Sequence, residues 1–305
     1  MITVSLVRKI TIWFLCGSLV VSCQQVDEQN QTLESDIFIK KEVSANFNLA
    51  EVKEVSNVAN LKKLLTEENW QAVDAAIKLG DNAWPALDAG ATMQSFRSRQ
   101  ITMASAGAIG TDKSIHILVE GLDDKHINVR LAAAGQLSVN TPPDAQMALA
   151  RKLRTCEEHN ICSLLILGLG NVPGELSVNS ILEFSQNNHE LTGVAQLALS
   201  KLERKTSIDA QLMLFSSSNP SARYQALIDL IYIADKNYAS YAIALLRDKA
   251  VAISIGTPYD EEHRRVCDQS VDTLIELLQL TPSFITSAEM IYNGQQINEI
   301  IQLTN

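Results

Sequence analysis

Seven stretches of this chain carry the same residue spacing, and that internal periodicity limits the fold more than any single motif does. In Asn128-Val129-Arg130-Leu131-Ala132-Ala133-Ala134-Gly135-Gln136-Leu137, small residues stand three and four positions after Arg130 and an apolar one stands at seven. The pattern recurs with reference positions 72, 99, 130, 162, 195, 223 and 267. At the third position stand Ala75, Thr102, Ala133, Leu165, Ala198, Ala226 and Ser270. At the seventh stand Leu79, Ala106, Leu137, Leu169, Leu202, Leu230 and Leu274. Spacings of three, four and seven fall on one helical face, so each stretch predicts an amphipathic helix buried along one stripe. A small side chain at the third position lets a neighbouring helix approach closely.

Second helices with their own apolar stripes lie between these, as in Ser114 to Leu122, Asp144 to Leu153, Leu176 to Phe184, Ile208 to Phe215 and Tyr238 to Leu246. Turn residues fall at the joints: Gly110-Thr111-Asp112, Asp123-Asp124, Asn140-Thr141-Pro142-Pro143, Val172-Pro173-Gly174 and Asn219-Pro220. Asp, Thr or Ser before a first helical turn, with Pro near its first position, marks a helix start. The unit is therefore a helical hairpin of about 30 residues, and one hairpin cannot bury its stripe alone. In Ala106-Gly107-Ala108-Ile109-Gly110-Thr111-Asp112, Gly121-Leu122-Asp123-Asp124 and Val129-Arg130, the chain resembles the HEAT repeats, in particular the bacterial phycobilisome-lyase HEAT-like kind. The resemblance covers roughly residues 57 to 280 and implies an all-α fold, a right-handed α-solenoid of about seven HEAT-like hairpins. It expects Arg at the reference positions, where Ala72, Cys162, Ala195 and Cys267 depart from it.

The N-terminal residues read as an address. A basic segment ending in Arg8-Lys9 precedes an uncharged run from Ile10 to Ser22, too short for a comfortable bilayer span. The run closes on Val20-Val21-Ser22-Cys23, which resembles the bacterial lipobox. That resemblance implies lipidation of Cys23, cleavage just before it, and two or three acyl chains, enough for stable anchoring. Gln24 after the cysteine leans towards the outer membrane, facing the periplasm. The expected organisation is a signal peptide over 1–22, a lipidated N-terminus and flexible tether over 23–56, and the repeat array over 57–305. As a random coil, the tether would set the body about 30 Å from the bilayer. Loss of Arg8 and Lys9 leaves 23 basic against 35 acidic residues, moving the formal charge from −10 to −12. Such an acidic chain lacks the clustered Lys and Arg that a phosphate backbone requires, so no nucleic-acid partner is expected.

The repeated arginines Arg99, Arg130 and Arg223 have two readings. They form either a basic ladder gripping an acidic partner, or planar forks that each bind an acid in a neighbouring turn, such as Asp123 or Asp124. The fixed register favours the second. A HEAT-like di-iron hydroxylase family uses paired His-Glu steps across the array, but here only His189-Glu190 fits, and one step cannot supply a ligand set. The chain has no Gly-rich phosphate loop, so neither metal nor cofactor is expected.

Three cysteines remain after the signal and the anchor. Cys156 lies in a turn and Cys162 about one turn into the next helix, so a disulfide closes that joint if their α-carbons lie within about 7 Å. Otherwise Cys162 is a small apolar residue, and Cys267 reads as a buried structural thiol. The interval from 223 to 267 spans 44 residues and holds an insertion at about 249–263. Insertions in solenoids often carry recognition. This one either binds a partner through Tyr259, His263 and Arg264 or forms a lid over the C-terminal hydrophobic end. The stretch after Thr281 closes the last repeat. The function these features suggest is a membrane-anchored, non-enzymatic scaffold that binds a protein or peptide along the solenoid. The alternative is an inhibitor or immunity-type lipoprotein that neutralises an effector enzyme, and a third class is an enzyme with an unrecognised site.

Overall fold

The computed structural model describes residues 58–139, 141–257, 260–287 and 290–304. It is an all-α repeat fold with one two-stranded insertion. The chain forms two compact units, one within Met1–Ser180 and one within Ile181–Asn305.

The first unit holds α1 (Val58–Thr66), α2 (Gln71–Leu79), α3 (Trp84–Ala91), α4 (Phe96–Ile109), α5 (Asp112–Gly121), α6 (Ile127–Val139), α7 (Gln146–Arg154) and α8 (His159–Gly170), and α9 (Glu175–Asn187) begins in it. Helices α2, α4, α6 and α8 carry the first four reference positions and pack on one another in that order, forming one layer. Helices α1, α3 and α5 stack as a second layer against them, and α7 packs on α8. Helix starts and stops follow local chemistry. The Ser95 hydroxyl accepts from the backbone N–H of Arg97 at 3.2 Å and opens α4. Gly110, in left-handed geometry at φ 65°, ends it.

Every third-position side chain of the repeat is buried, from Ala75 to Ser270. Two glycines on second-layer helices show why small residues are needed there. A Cβ on Gly90 of α3 would come within 2.4 Å of Thr102 Oγ1, and one on Gly121 of α5 within 2.9 Å of the Ala133 Cβ. Both third-position residues therefore face a glycine on the helix before, and at both contacts the helices approach too closely for two ordinary side chains. Helix α8 has the most apolar sequence of the array, and Ile161 through Gly170 are all buried.

The second unit holds α10 (Thr192–Lys201), α11 (Lys205–Met213), α12 (Pro220–Ile233), α13 (Ala239–Ala244), α14 (Val266–Leu278) and α15 (Gly294–Leu303). Helix α12 starts at the Asn219 cap with Pro220 in its first turn. Helix α14 packs on both α12 and α13, and its small polar residues bond to their carbonyls: Thr273 Oγ1 donates to Leu227 O at 3.0 Å and Ser270 Oγ to Ala242 O at 2.5 Å. Asn293 caps α15, which buries Ile297 and Ile300. The insertion, expected as a projecting loop or lid, is an antiparallel hairpin of β1 (Val251–Thr257) and β2 (Asp260–Arg265), with a register shift between Val251 and Ile253. The apolar residues Val251, Ile253 and Ile255 alternate with small ones, which suits a strand better than a helix. Ser221 Oγ donates to Ala252 O at 2.7 Å and ties β1 to α12.

Candidate functional site

The arginines at the repeat's reference positions are forks that close consecutive joints. Arg99 Nη1 donates at 2.8 Å to both Met93 O and Gln94 O, in the turn before its own helix. Its Nε and Nη2 reach the Asp124 carboxylate at 2.6 and 2.9 Å, in the turn before the next inner helix. Arg130 repeats the device, donating to Asp124 O at 2.9 Å and to the Glu158 carboxylate. Arg223 does so again, with Ser217 O at 2.6 Å and Asp248 Oδ2 at 2.7 Å. In each case the accepting carbonyl lies six residues back and the carboxylate 25 or 28 residues on. Burial pushes the Asp124 carboxyl up, but the Arg99 hydrogen bond and the His126 N–H outweigh it and hold the group below its ordinary value. With their donors aimed into the turns, these arginines serve structure.

The densest titratable cluster surrounds the hairpin's exit. Tyr224 comes from α12, Arg264 and Arg265 from β2, and Asp268 and Asp272 from one face of α14. Tyr292 comes from the segment before α15. Arg264 pairs with Asp272 and donates from Nη1 to Tyr224 Oη at 3.0 Å. Tyr292 donates its hydroxyl to Asp272 Oδ1 at 2.6 Å and its backbone N–H to Asp268 Oδ1 at 3.0 Å. Arg265 grips Asp268 with Nε and Nη2, and Nη2 also donates to Tyr292 O at 2.6 Å. Burial pushes the Asp272 carboxyl up to about 6 against the opposing pull of Arg264 and Tyr292. Burial likewise raises the Tyr292 and Tyr224 phenols, and the Asp272 carboxylate adds to the rise at Tyr292. These ion pairs and hydrogen bonds clamp the hairpin and the C-terminal segment onto α14. Of the two, only the Asp272 carboxyl is brought towards neutrality, while the Tyr292 phenol is pushed well above its ordinary value and stays protonated as a hydrogen-bond donor.

Of the two readings of the insertion, the docking one requires Tyr259, His263 and Arg264 at the surface. Tyr259 lies outside the described residues. His263 is exposed on β2 opposite Ser254, whose Oγ is 3.2 Å from its Nδ1. Arg264 corrects the expectation: it is only 2% exposed and its guanidinium is engaged inside the clamp, so it cannot meet a partner at the surface. Cys23 also lies outside the described residues. Cys156 and Cys162 are joined by a disulfide with α-carbons 5.7 Å apart. Cys267 is buried in α14, where burial pushes its thiol up. His116, which lacked an acidic neighbour at the next position, meets Glu120 one turn on at 3.5 Å. These two residues, with Asp88, Ala91, Thr92 and Ile117, line an open depression of about 420 Å³ between α3 and α5. Among the described residues, no three His, Cys, Asp or Glu side chains converge as a metal site. Sequence reasoning missed Tyr224, Asp272 and Tyr292. The one available signal was the pair Asp268 and Asp272 interrupting the apolar stripe of α14.

No known family's sequence profile matches the chain, and no curated protein matches it either. A solved structure does: a chain of the complex of CpcE and CpcF of phycocyanin lyase from Nostoc sp. PCC7120, at a TM-score of 0.53 and 16% identity. The match covers 87% of this chain and 98% of that one. The shared feature is the HEAT-like helical-repeat fold. This likeness corrects the functional expectation. Repeat architecture without a recognisable motif suggested a non-enzymatic scaffold or an inhibitor, yet a chain of the same architecture belongs to a lyase, so the architecture gives no ground for "not an enzyme".

Proposed function

We propose that the protein is one subunit of a two-protein assembly of lyase type. The observation that carries this reading is the likeness over nearly the whole length of a chain from a two-protein lyase complex. The test is native mass spectrometry on the full chain, tagged and expressed at its normal level in its own host. A stoichiometric complex with one second polypeptide is expected. A monomeric mass at every concentration and ionic strength tested would refute the assembly.

We further propose that the chain is exported and acylated at Cys23, in the outer membrane and facing the periplasm. The run Val20-Val21-Ser22-Cys23 supports this. So does the Cys156–Cys162 disulfide, since such bonds persist in oxidising compartments. No helix among the described residues is long and apolar enough to cross a membrane. Palmitate incorporation into the wild type and its loss in Cys23→Ala is the expected result. Labelling that persists in the variant would refute it.

A further inference from the structure

We propose that Cys156 and Cys162 form a thiol–disulfide exchange site, which reacts with thiols and dithiols at Cys156 and, once reduced, opens the joint before α8. Cys162 occupies the reference position at which Arg99, Arg130 and Arg223 stand in other repeats. Each of those arginines ties its helix to a carbonyl six residues back: Arg99 to Met93, Arg130 to Asp124 and Arg223 to Ser217. Six residues back from Cys162 is Cys156, and the disulfide spans that same interval. Ala72 and Ala195, at other reference positions, carry no polar group, and Cys267 is a free thiol. Of the four departures from Arg, Cys162 is thus the one that replaces the lost tie with another bond. A guanidinium bridge is indifferent to thiols, whereas a disulfide is cut by them, so closure of this joint is conditional on the surrounding redox poise.

The two sulfurs differ in access. Cys156 is half-buried in the turn between α7 and α8, where Arg154, Thr155, Glu157, His159 and Asn160 are all exposed, whereas Cys162 is only 2% exposed in α8. Exposed Arg154 and Glu157 carry opposite charges, so access, and not charge, selects the reacting sulfur. An incoming thiolate forms a new S–S bond with Cys156 Sγ, the Cys156–Cys162 bond breaks, and its electron pair leaves on Cys162 Sγ, which takes up a proton. The second thiol of a dithiol then attacks its own partner sulfur and displaces Cys156, which is protonated in turn. The dithiol leaves as a cyclic disulfide, and two electrons and two protons have passed to the chain. Cys162 lies in the buried run from Ile161 to Gly170, where a thiol serves as a small apolar residue, so opening the bond leaves the core filled. The turn is what loosens. Glu158, inside the closed loop, accepts from Arg130 through its carboxylate and from the Cys162 N–H at 2.9 Å through its carbonyl, so the change reaches the start of α6.

This chemistry is independent of any assembly partner and is tested on the full chain, with peptide mapping by mass spectrometry to read each cysteine separately. In the wild type, dithiothreitol without denaturant is expected to reduce the bond. Hydrogen exchange over residues 156–166 should then rise about 10- to 50-fold, with a smaller rise over 127–131 and none over 93–99. Cys156→Ser with Cys162→Ser should match the reduced wild type and no longer respond to dithiothreitol. Cys162→Ala, which leaves Cys156 as the thiol of the pair, should form a mixed disulfide with oxidised glutathione at least about tenfold faster than Cys156→Ala, which leaves Cys162. Equal or inverted glutathione rates, a bond that yields only once urea unfolds the chain, or exchange unaltered by reduction would each overturn the inference. A rise spread evenly over the first unit would overturn it too, because the bond would then support the whole body and not one joint.

Discussion

Replacing Arg99 by methionine separates the two readings of the arginine ladder. Arg99 is 5% exposed and directs one nitrogen at two carbonyls and two nitrogens at Asp124. Methionine fills much of the same volume but abandons the carboxylate and both carbonyls. Breaking one partner of a buried pair costs about 3–5 kcal/mol, because the remaining charge has lost its compensation. Asp124 keeps some relief through the His126 N–H, at 2.8 Å, which places the expectation near 3 kcal/mol. With a urea slope of about 3 kcal/mol/M, the midpoint for the first unit should fall by about 1 M. The two units need not unfold together, so hydrogen exchange over residues 93–130 provides the local readout. The double variant Arg99→Met with Asp124→Asn keeps the cap on His126 and removes the orphaned charge, and it should recover about 2 kcal/mol. The pH dependence gives an independent check on sign. Asp124 is held below its ordinary value, so its contribution is present above about pH 4 and is lost as pH falls through the folded value. Arg99→Met should flatten that acid limb. A cost below about 1 kcal/mol, or an acid limb that persists, would refute the structural role and leave these cations available for a partner.

Asp229 is buried in α12 with the Gln225 side chain as its hydrogen-bond donor, and burial pushes its carboxyl up to about 7. A folded value above the unfolded one means stability is full below about pH 4 and declines as pH rises through 7. Asp229→Asn should therefore stabilise at pH 8, by at most about 4 kcal/mol, and change little at pH 4, as thermal melts at the two pH values will show. The Cys156–Cys162 bond closes a short loop, so Cys156→Ser with Cys162→Ser should cost about 2 kcal/mol in chain entropy, measured by urea unfolding under non-reducing conditions; no loss would show the bond is absent in solution. Gly90→Leu should destabilise by about 1–3 kcal/mol in spite of a gain in helix propensity, and Thr102→Ala in the same chain should recover part of it. Tyr292→Phe deletes a donor to buried Asp272 and should cost about 1–3 kcal/mol, with protease nicking between 279 and 293 rising first.

What the sequence revealed was set by local periodicity, and what it concealed depends on partners distant in the chain. A burial stripe with a small residue at its third position is written within eleven residues, and its helices and their layer order could be read from Ala75, Ala133 or Ala198 alone. The arginine forks were legible for the same reason, since the accepting carbonyl recurs six residues back and the carboxylate about one repeat on. The clamp is different in kind. Arg264 bonds Tyr224, 40 residues back, and Tyr292 reaches Asp268, 24 residues back. Neither separation is a repeat spacing, so periodicity cannot report it. The same holds for Phe215 and Tyr241, whose rings lie 5.4 Å apart although they stand 26 residues apart in the chain. A repeat of about 30 residues solves the folding problem with recurring contacts, so its recurring residues are spent on structure. A specific activity has most room where the recurrence fails, and in this chain it fails around 251–292, where an insertion, two adjacent arginines and two aspartates on an apolar stripe break the pattern together. Deleting the hairpin should thus perturb assembly or activity more than an equal change in any regular joint.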